Sequence, residues 1–167
     1  PGIPWGRSCG WFCMAMVDVL DFIPDDHPGR KTLIDMLNKV LSNVVKYQDE
    51  SGVWYQVLDN RRSDNYKEST CSCMFAYAMN KGIKYNYIDE ATYKPYLEKA
   101  VEGIFNEFIR VDGDYAYLKN CCAVAGLGPA DNPRRDGSLD YYFSEPVIEN
   151  DCKGVGPFLF LAAEYIY

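Results

Sequence analysis

The sequence predicts an all-α fold in which helical hairpins form a ring. Three segments are apolar on nearly every face, and they are residues 11–23, 71–79 and 157–167. Two amphipathic segments, residues 31–46 and 97–108, lie between them along the chain. A helix that is apolar all round is buried on all sides, whereas an amphipathic helix meets water on one face. This alternation indicates inner and outer helices of a ring, because a simple bundle makes every helix amphipathic.

The connections between these helices differ in length. The links from inner to outer helices, residues 24–30 and 81–93, are short. The links from outer to inner helices, residues 49–69 and 115–156, are longer and contain strand-like stretches at 53–58 and 116–126. Loops longer than about 15 residues in a compact domain are usually functional. Since both long links lead into inner helices, we expect a functional mouth at the N-terminal ends of those helices.

Composition narrows the classes of partner. The 167 residues carry a net charge of −7, from 24 acidic and 17 basic side chains, which disfavours nucleic acid as a partner. No apolar stretch reaches the roughly 18 to 20 residues of a membrane span. Aromatic residues make up 15% of the chain, a content that suits both sugar stacking and a helical core.

The cysteines predict neither disulfides nor a metal site. There are seven of them, an odd number without regular spacing, and the single histidine is His27 in a Pro-rich turn. Cys71 and Cys73 are two residues apart, so on a helix they point in different directions. We expect buried free thiols and no bound metal.

Several motifs occur together in a fixed order. They are WGRSCGWF at 5–12, GVWYQVLD at 52–59, ESTCSCMFAYAMNKGI at 68–83, CAVAGLG at 122–128 and RDGSLDYYFSEPVIENDCKGVGP at 135–157. From Trp5 to the end, the chain resembles the unsaturated rhamnogalacturonyl hydrolases, glycoside hydrolase family 105, which are related to the unsaturated glucuronyl hydrolases of family 88. The resemblance implies an (α/α)6 six-hairpin barrel of twelve helices. This chain supplies about five, so residues 1–167 are expected to be one partial domain, the C-terminal half, with short β-strands in the long loops.

The resemblance also implies a hydration reaction. The family acts on oligosaccharides from pectin or rhamnogalacturonan whose non-reducing end is a 4,5-unsaturated uronic acid left by a lyase. An acid protonates C4, water adds at C5, and the resulting hemiketal opens and releases the rest of the chain. This differs from the two-carboxylate mechanism of ordinary glycosidases, because the proton goes to carbon.

The implied partners are the unsaturated oligosaccharide and a protein segment that completes the ring. That segment is either an N-terminal half or a second copy of this chain, because an open half-ring exposes apolar flanks. Neither nucleic acid nor a membrane is expected as a partner, and no cofactor is implied. A bacterial protein of the periplasm or the cytoplasm is implied, without a choice between the two.

Three residues of the first motif match family positions that line the sugar site. They are Trp5, Arg7 and Trp11. Arginine offers a planar fork for the uronate carboxylate, and an indole offers a stacking face. The alternative is that both rings pack the barrel end while Arg7 caps carbonyl groups. Where the family more often has Gly-Asn, this chain has Ser8 and Cys9, so a hydrogen bond from that asparagine is lost or replaced.

Lys153 precedes a buried helix, where a cation and free backbone N–H groups together suit an anion. By resemblance this region contacts the sugar beyond the scissile bond, and a solvated turn lysine is the alternative. At the second inner helix, beside Glu68, we expect Ser69 or Thr70 to be the N-cap.

Glu145 and Asp136 are the most prominent carboxylates of the mouth. Turn chemistry and a buried pair with Arg134 or Arg135 account for both, so neither is assigned as the general acid. The resemblance places the catalytic aspartate upstream of Pro1, and no catalytic residue is therefore expected in this chain.

Two other classes of function stay open at this point. One is a different enzyme on the same barrel, such as a sugar epimerase, but those use histidines as acid and base, and His27 stands alone. The other is a non-catalytic helical-repeat or carbohydrate-binding module.

Overall fold

Six α-helices and four short β-strands make up the computed structural model, which describes residues 2–129 and 131–166. A 3-10 turn, Val45–Tyr47, extends the second helix. None of the described helices combines the length and the apolar character needed to cross a membrane. In chain order the elements are α1 (Gly6–Val19), α2 (Arg30–Val44), α3 (Ser69–Lys84), α4 (Glu90–Phe108), β1 (Ile109–Asp112), β2 (Tyr115–Leu118), β3 (Cys121–Cys122), α5 (Leu139–Ser144), β4 (Val147–Ile148) and α6 (Cys152–Ile166).

The helices form two layers around α3. Helix α3 packs against α1 and against α6, while α2 packs on α1 and α4 packs on α3. Helices α1, α3 and α6 are therefore the inner layer, and α2 and α4 are the outer layer. The predicted alternation of inner and outer helices is confirmed.

Helix α3 is the centre of the core. Every residue from 69 to 79 is buried, as predicted. The Trp54 ring packs edge-on against Phe75 at 5.3 Å between centroids, and Trp54 Nε1 donates to the Val44 carbonyl at 2.9 Å. A large indole is thus buried between two layers with its only polar atom paired.

Helices α1 and α6 differ from the prediction, because neither is buried on all sides. In α6 the side chains of Leu159 and Phe160 are 59% and 55% exposed, and in α1 Trp11 and Phe12 are 45% and 44% exposed. Each of these helices has a single inner neighbour, α3, and its opposite flank meets solvent. An apolar pattern cannot show which neighbours are present. Tyr167, at the end of the predicted third segment, lies outside the described residues.

Element boundaries also differ from the prediction. Helix α1 begins at Gly6 with Trp5 as its N-cap, so the motif WGRSCGW forms the start of the helix, and α1 ends at Val19 and not at Ile23. Helix α4 begins at Glu90, where the Asp89 carboxylate caps it by accepting the Thr92 N–H at 2.8 Å. The short helix α5 was not predicted. The strand expected at 53–58 forms only isolated bridges, whereas the expectation of short strands in the second long loop is confirmed.

Two small antiparallel sheets shape the second long loop. Strands β1 and β2 form a hairpin that continues from α4. Strands β3 and β4 pair with Cys121 opposite Ile148, which brings the segment before α6 next to the start of α3. The loop is thereby fixed by main-chain hydrogen bonds along much of its length.

A charged cluster joins α1 to α3 at the ends opposite the mouth. Lys81 Nζ lies 2.8 Å from Asp18 Oδ1 and 2.6 Å from Asp21 Oδ2, and the Tyr77 hydroxyl donates to Asp18 at 2.6 Å. The lysine side chain is 6% exposed. Burial opposes its charge, but the hydrogen bonds to the two aspartates outweigh burial and raise the pKa of Lys81 above the ordinary value of 10.5.

We expect Lys81 to make stability fall at high pH. The folded state keeps a proton that the unfolded chain releases near pH 10.5, so this stabilisation is complete below that pH and is lost as the pH rises further. Urea unfolding of wild type and Lys81→Met between pH 7 and 11.5 measures the difference. The variant should lose about 1 to 3 kcal/mol at pH 7 and show a flatter decline above pH 10.5. Equal slopes in the two proteins would contradict this assignment.

Backbone touches backbone where α4 crosses the turn before Trp54. A Cβ atom at Gly103 would lie 2.1 Å from the Ser51 carbonyl oxygen, and one at Gly52, whose φ is +91°, would lie 2.1 Å from the Lys99 carbonyl oxygen. Only glycine permits this approach.

Gly103→Ala is therefore expected to destabilise the fold by about 1 to 3 kcal/mol, the usual cost of overpacking. Gly156→Ala in α6 is the control, because in the described part of the chain no atom apart from its own helix backbone and its chain neighbours lies within 4 Å of its Cβ position. There alanine should change stability by less than about 1 kcal/mol, because its higher helix propensity is offset by the steric restriction on the residue before Pro157. Urea unfolding measures both variants, and a Gly103→Ala protein as stable as Gly156→Ala would contradict the close approach.

Candidate functional site

The N-terminal ends of the three inner helices meet both long loops, as predicted. Gly6 N–H donates to the Gln56 carbonyl at 2.8 Å, and Ser69 N–H donates to the Asn120 carbonyl at 3.0 Å. At the start of α6, Gly154 lies against Cys121, since an added Cβ would come 2.7 Å from its sulfur. Helix N-termini carry partial positive charge, so this mouth favours anionic ligands.

Arg7 is the buried cation of the mouth. Its side chain leaves α1, the residue is 2% exposed, and Nη1 donates to the Cys122 carbonyl at 2.7 Å. The guanidinium carbon lies 5.2 Å from the centre of the Trp5 ring. Among residues 2–129 and 131–166, no carboxylate lies within ion-pairing distance of this guanidinium. A buried charge without an ionic partner is costly, so this guanidinium gains from contact with an anion.

Glu68 is the buried anion of the mouth and the N-cap of α3. It is fully buried; Oε2 accepts the Cys71 N–H at 2.8 Å and Oε1 accepts the Cys122 N–H at 3.0 Å. The expectation that Ser69 or Thr70 caps this helix is wrong, because both already lie within its first turn. The signal for Glu68 was an acid directly before an apolar helix.

The two tryptophans have different surroundings. Trp5 is half-buried, its Nε1 donates to Gln56 Oε1 at 3.3 Å, and its ring lies 5.6 Å from the Tyr142 ring. Trp11 lies one helical turn after Arg7, on the same side of α1, and is 45% exposed. Trp5 therefore packs the end of the helix, while Trp11 presents an indole face to solvent.

Lys153 lies at the mouth but already has an anionic partner. Its Nζ is 2.8 Å from Asp151 Oδ1, and the same oxygen accepts the Lys153 N–H at 2.9 Å. Burial disfavours the charged Asp151, but hydrogen bonds from Lys153 and the charges of Lys153 and Arg7 outweigh it and lower the pKa of Asp151. The sequence analysis missed Asp151, because α6 begins at Cys152 and not near Pro157.

Neither of the prominent carboxylates is free. The Glu145 side chain is 1% exposed, and its Oε2 lies 3.2 Å from Arg134 Nη2, one of the two pairings considered. Asp136 is exposed and accepts the Ser138 N–H at 2.8 Å within a turn. That backbone hydrogen bond lowers the pKa of Asp136.

The cysteines around the mouth are thiols and not thiolates. All seven are free, and burial raises the pKa of Cys71, Cys73 and Cys122 above the ordinary value of 9.0. Within the described ranges, no group of three metal-ligating side chains comes together. His27 lies in an exposed turn and accepts the Gly29 N–H at 3.0 Å, an arrangement without a place in acid–base catalysis at the mouth.

Comparison with known proteins identifies the family of the chain. The sequence profile of Glycosyl Hydrolase Family 88 matches residues 2–167. The chain belongs to this family. A solved structure of a family 105 glycoside hydrolase from C. acetobutylicum ATCC 824 covers 99% of the chain with a TM-score of 0.94 and 42% identity. The fold is thus that of the six-hairpin helical barrels of these families.

Two relatives are similar in sequence. Protein Atu3128 of Agrobacterium fabrum is 36% identical over 165 residues, which cover 96% of this chain and 70% of that protein. The unsaturated rhamnogalacturonyl hydrolase YesR of Bacillus subtilis is 32% identical over 71% of this chain. The chain spans 34% of YesR and 46% of the C. acetobutylicum structure, so it corresponds to less than half of each.

We expect the Glu68 carboxylate to hold the mouth together. Glu68→Gln keeps the shape but replaces one acceptor with an amide that faces an N–H donor, so stability should fall by about 1 to 3 kcal/mol. Thr70→Val is the matched control in the same turn, since Thr70 Oγ1 is buried and has no hydrogen-bond partner among residues 2–129 and 131–166, so its loss should be neutral or stabilising. Thermal unfolding compares the two, and a Glu68→Gln protein as stable as wild type would refute the role.

Proposed function

We propose that this chain contributes substrate-binding groups to an enzyme that removes 4,5-unsaturated uronic acid from lyase-generated oligosaccharides of the pectin or rhamnogalacturonan type. The reaction is hydration of the double bond: a proton adds at C4, water adds at C5, and the hemiketal opens to release the remaining sugar chain. Family membership and the name of the relative YesR support this proposal.

The observation that carries the proposal is the setting of Arg7. A guanidinium without an ionic partner lies at the N-terminal ends of inner helices, with the exposed Trp11 indole one turn away. A uronate has a planar carboxylate and a sugar ring, which match a guanidinium fork and an indole face. Because Arg7 is 2% exposed, side chains that cover its guanidinium must shift when the uronate binds.

The other residues take secondary roles in this proposal. Trp5 positions the Arg7 guanidinium. Lys153 contacts the sugar beyond the scissile bond, where its ammonium group, held by Asp151, can donate hydrogen bonds to hydroxyl groups.

Four carboxylates of the mouth are candidates for the proton donor, and each of them already has a structural role. Glu68 is used as a helix cap, Glu145 pairs with Arg134, Asp151 pairs with Lys153, and Asp136 closes a turn. None of these four carboxylates is available as the acid. We therefore keep the proposal that the catalytic aspartate is not among residues 1–167.

Arg7→Lys tests the proposal. Lysine keeps the charge but loses the fork, so binding of an unsaturated uronyl disaccharide should weaken by about 1 to 3 kcal/mol, the scale of a charged hydrogen bond. Isothermal titration calorimetry on the complete enzyme that contains this chain measures this, with circular dichroism to verify folding. The control is Arg110→Lys, a partly exposed arginine on β1 that pairs with Glu149. A disaccharide bound equally by wild type and Arg7→Lys would remove Arg7 from the site, and no binding to the complete wild-type enzyme would refute the function.

A further inference from the structure

Arg134 is a largely exposed arginine that forms an ion pair with a buried glutamate. Its side chain is 57% exposed, yet its partner Glu145 is 1% exposed, with 3.2 Å between Nη2 and Oε2. The guanidinium carbon also lies 5.8 Å from the centre of the Tyr141 ring. The cation thus has a buried carboxylate on one side and an aromatic ring near it, while much of it faces solvent.

The buried partner explains why the guanidinium keeps its place. In the described part of the chain, Arg134 is the only cation within ion-pairing distance of the Glu145 carboxylate. Burial and the neighbouring Glu145 raise the pKa of Tyr141, so the Tyr141 hydroxyl also lies close to this carboxylate. A buried carboxylate is costly without a cation, and the arginine is therefore held against it. Such an arginine has lost its rotational freedom before any ligand arrives, which favours binding.

The location links Arg134 to the proposed uronate site. The Tyr141 ring lies 5.3 Å from Tyr142, and the Tyr142 ring lies 5.6 Å from Trp5, which stacks on Arg7. Two aromatic contacts therefore connect the ring under Arg134 to the ring beside Arg7. Arg134 lies on the rim of the same mouth.

Two other cations near this rim already have carboxylate partners. Arg62 contacts both Asp64 and Asp140, which are 50% and 83% exposed, and their carboxylates compete with a ligand in the same solvent layer. Lys153 contacts Asp151, which is 12% exposed. The carboxylate of Glu145 lies beneath Arg134 instead, so it orients the guanidinium without covering its exposed side.

We propose that Arg134 binds a second oxyanion of the substrate, a carboxylate or a sulfate on the part of the oligosaccharide beyond the unsaturated uronate. The preferred substrates are then acidic oligosaccharides that carry at least one charge in addition to that of the terminal uronate. This inference rests on the proposed function, since it assumes that the uronate lies at Arg7.

Calorimetric titration of the complete enzyme that contains this chain with four ligands tests the inference. The first is an unsaturated rhamnogalacturonan disaccharide, with one carboxylate. The second is the tetrasaccharide, whose third sugar carries another, and the third is the same tetrasaccharide with that carboxyl reduced to an alcohol. The fourth is an unsaturated disaccharide with a sulfate on its second sugar.

The variants are chosen so that the fold survives. Arg134→Gln alone leaves Glu145 buried without a cation, so the double variant Arg134→Gln with Glu145→Gln removes both charges together. Arg134→Lys keeps the ion pair but loses the planar fork. Arg110→Gln is the matched control, because Arg110 also pairs with a glutamate and stacks on a tyrosine, but at the β1–β2 hairpin.

Wild type should bind the tetrasaccharide or the sulfated disaccharide ~10-fold more tightly than the plain disaccharide, the scale of one charged hydrogen bond. A gain with the tetrasaccharide that reduction abolishes identifies the carboxylate, and a gain with the sulfated ligand identifies the sulfate. The double variant should lose the gain and Arg134→Lys part of it, while both bind the plain disaccharide as wild type does. Arg110→Gln should keep the gain.

Two results overturn the inference alone: no gain with either charged ligand in wild type, or a gain that persists in the double variant. In both cases the plain disaccharide still binds and Arg7→Lys still weakens it, so the proposed function stands. If wild type does not bind the plain disaccharide, the proposed function fails, and this inference fails with it.

Discussion

One residue joins two buried charges of the mouth, Arg7 and Glu68, and the arrangement of the inner helices depends on it. The carbonyl of Cys122 accepts from Arg7, and the N–H of Cys122 donates to Glu68. A cation from α1 and an anion from α3 are thereby linked through the main chain of β3. Neither charge is solvated, so each depends on these hydrogen bonds, and β3 can occupy only a place that serves both.

This link also fixes the part of the second long loop that leads from β3 to the start of α6. Strand β3 pairs with β4, β4 leads to Asp151, and Asp151 begins α6 through its hydrogen bond from Lys153. The Arg7–Cys122–Glu68 connection thus extends to the third inner helix. Three helix ends and both long loops share one set of contacts, which is how residues distant in the chain form a single mouth.

The sequence predicted the layers better than the mouth. The alternation of apolar and amphipathic segments identified inner and outer helices, because periodicity reflects the number of faces that a helix buries. It did not identify Glu68 as the cap that accepts the Cys71 N–H, because Ser and Thr are preferred at that position. It also could not show the hydrogen bond from the Cys122 N–H, which is 54 residues away. Nor could it foresee that Leu159 faces solvent, because an apolar side chain has the same pattern whether or not its neighbour is present. Propensity favoured Ser69 and Thr70 as caps, and tertiary contacts selected another residue.

The charged cluster of Lys81 has a consequence for motion. Helices α1 and α3 are joined by buried polar contacts at both ends, through Cys122 at the mouth and through Lys81 at the far end. Sliding or rolling one helix past the other would break charged hydrogen bonds at two distant points simultaneously. We therefore expect helices α1 and α3 to move as one rigid unit. An opening of the mouth would then involve the aromatic side chains and loop segments around it, without a shift of these two helices.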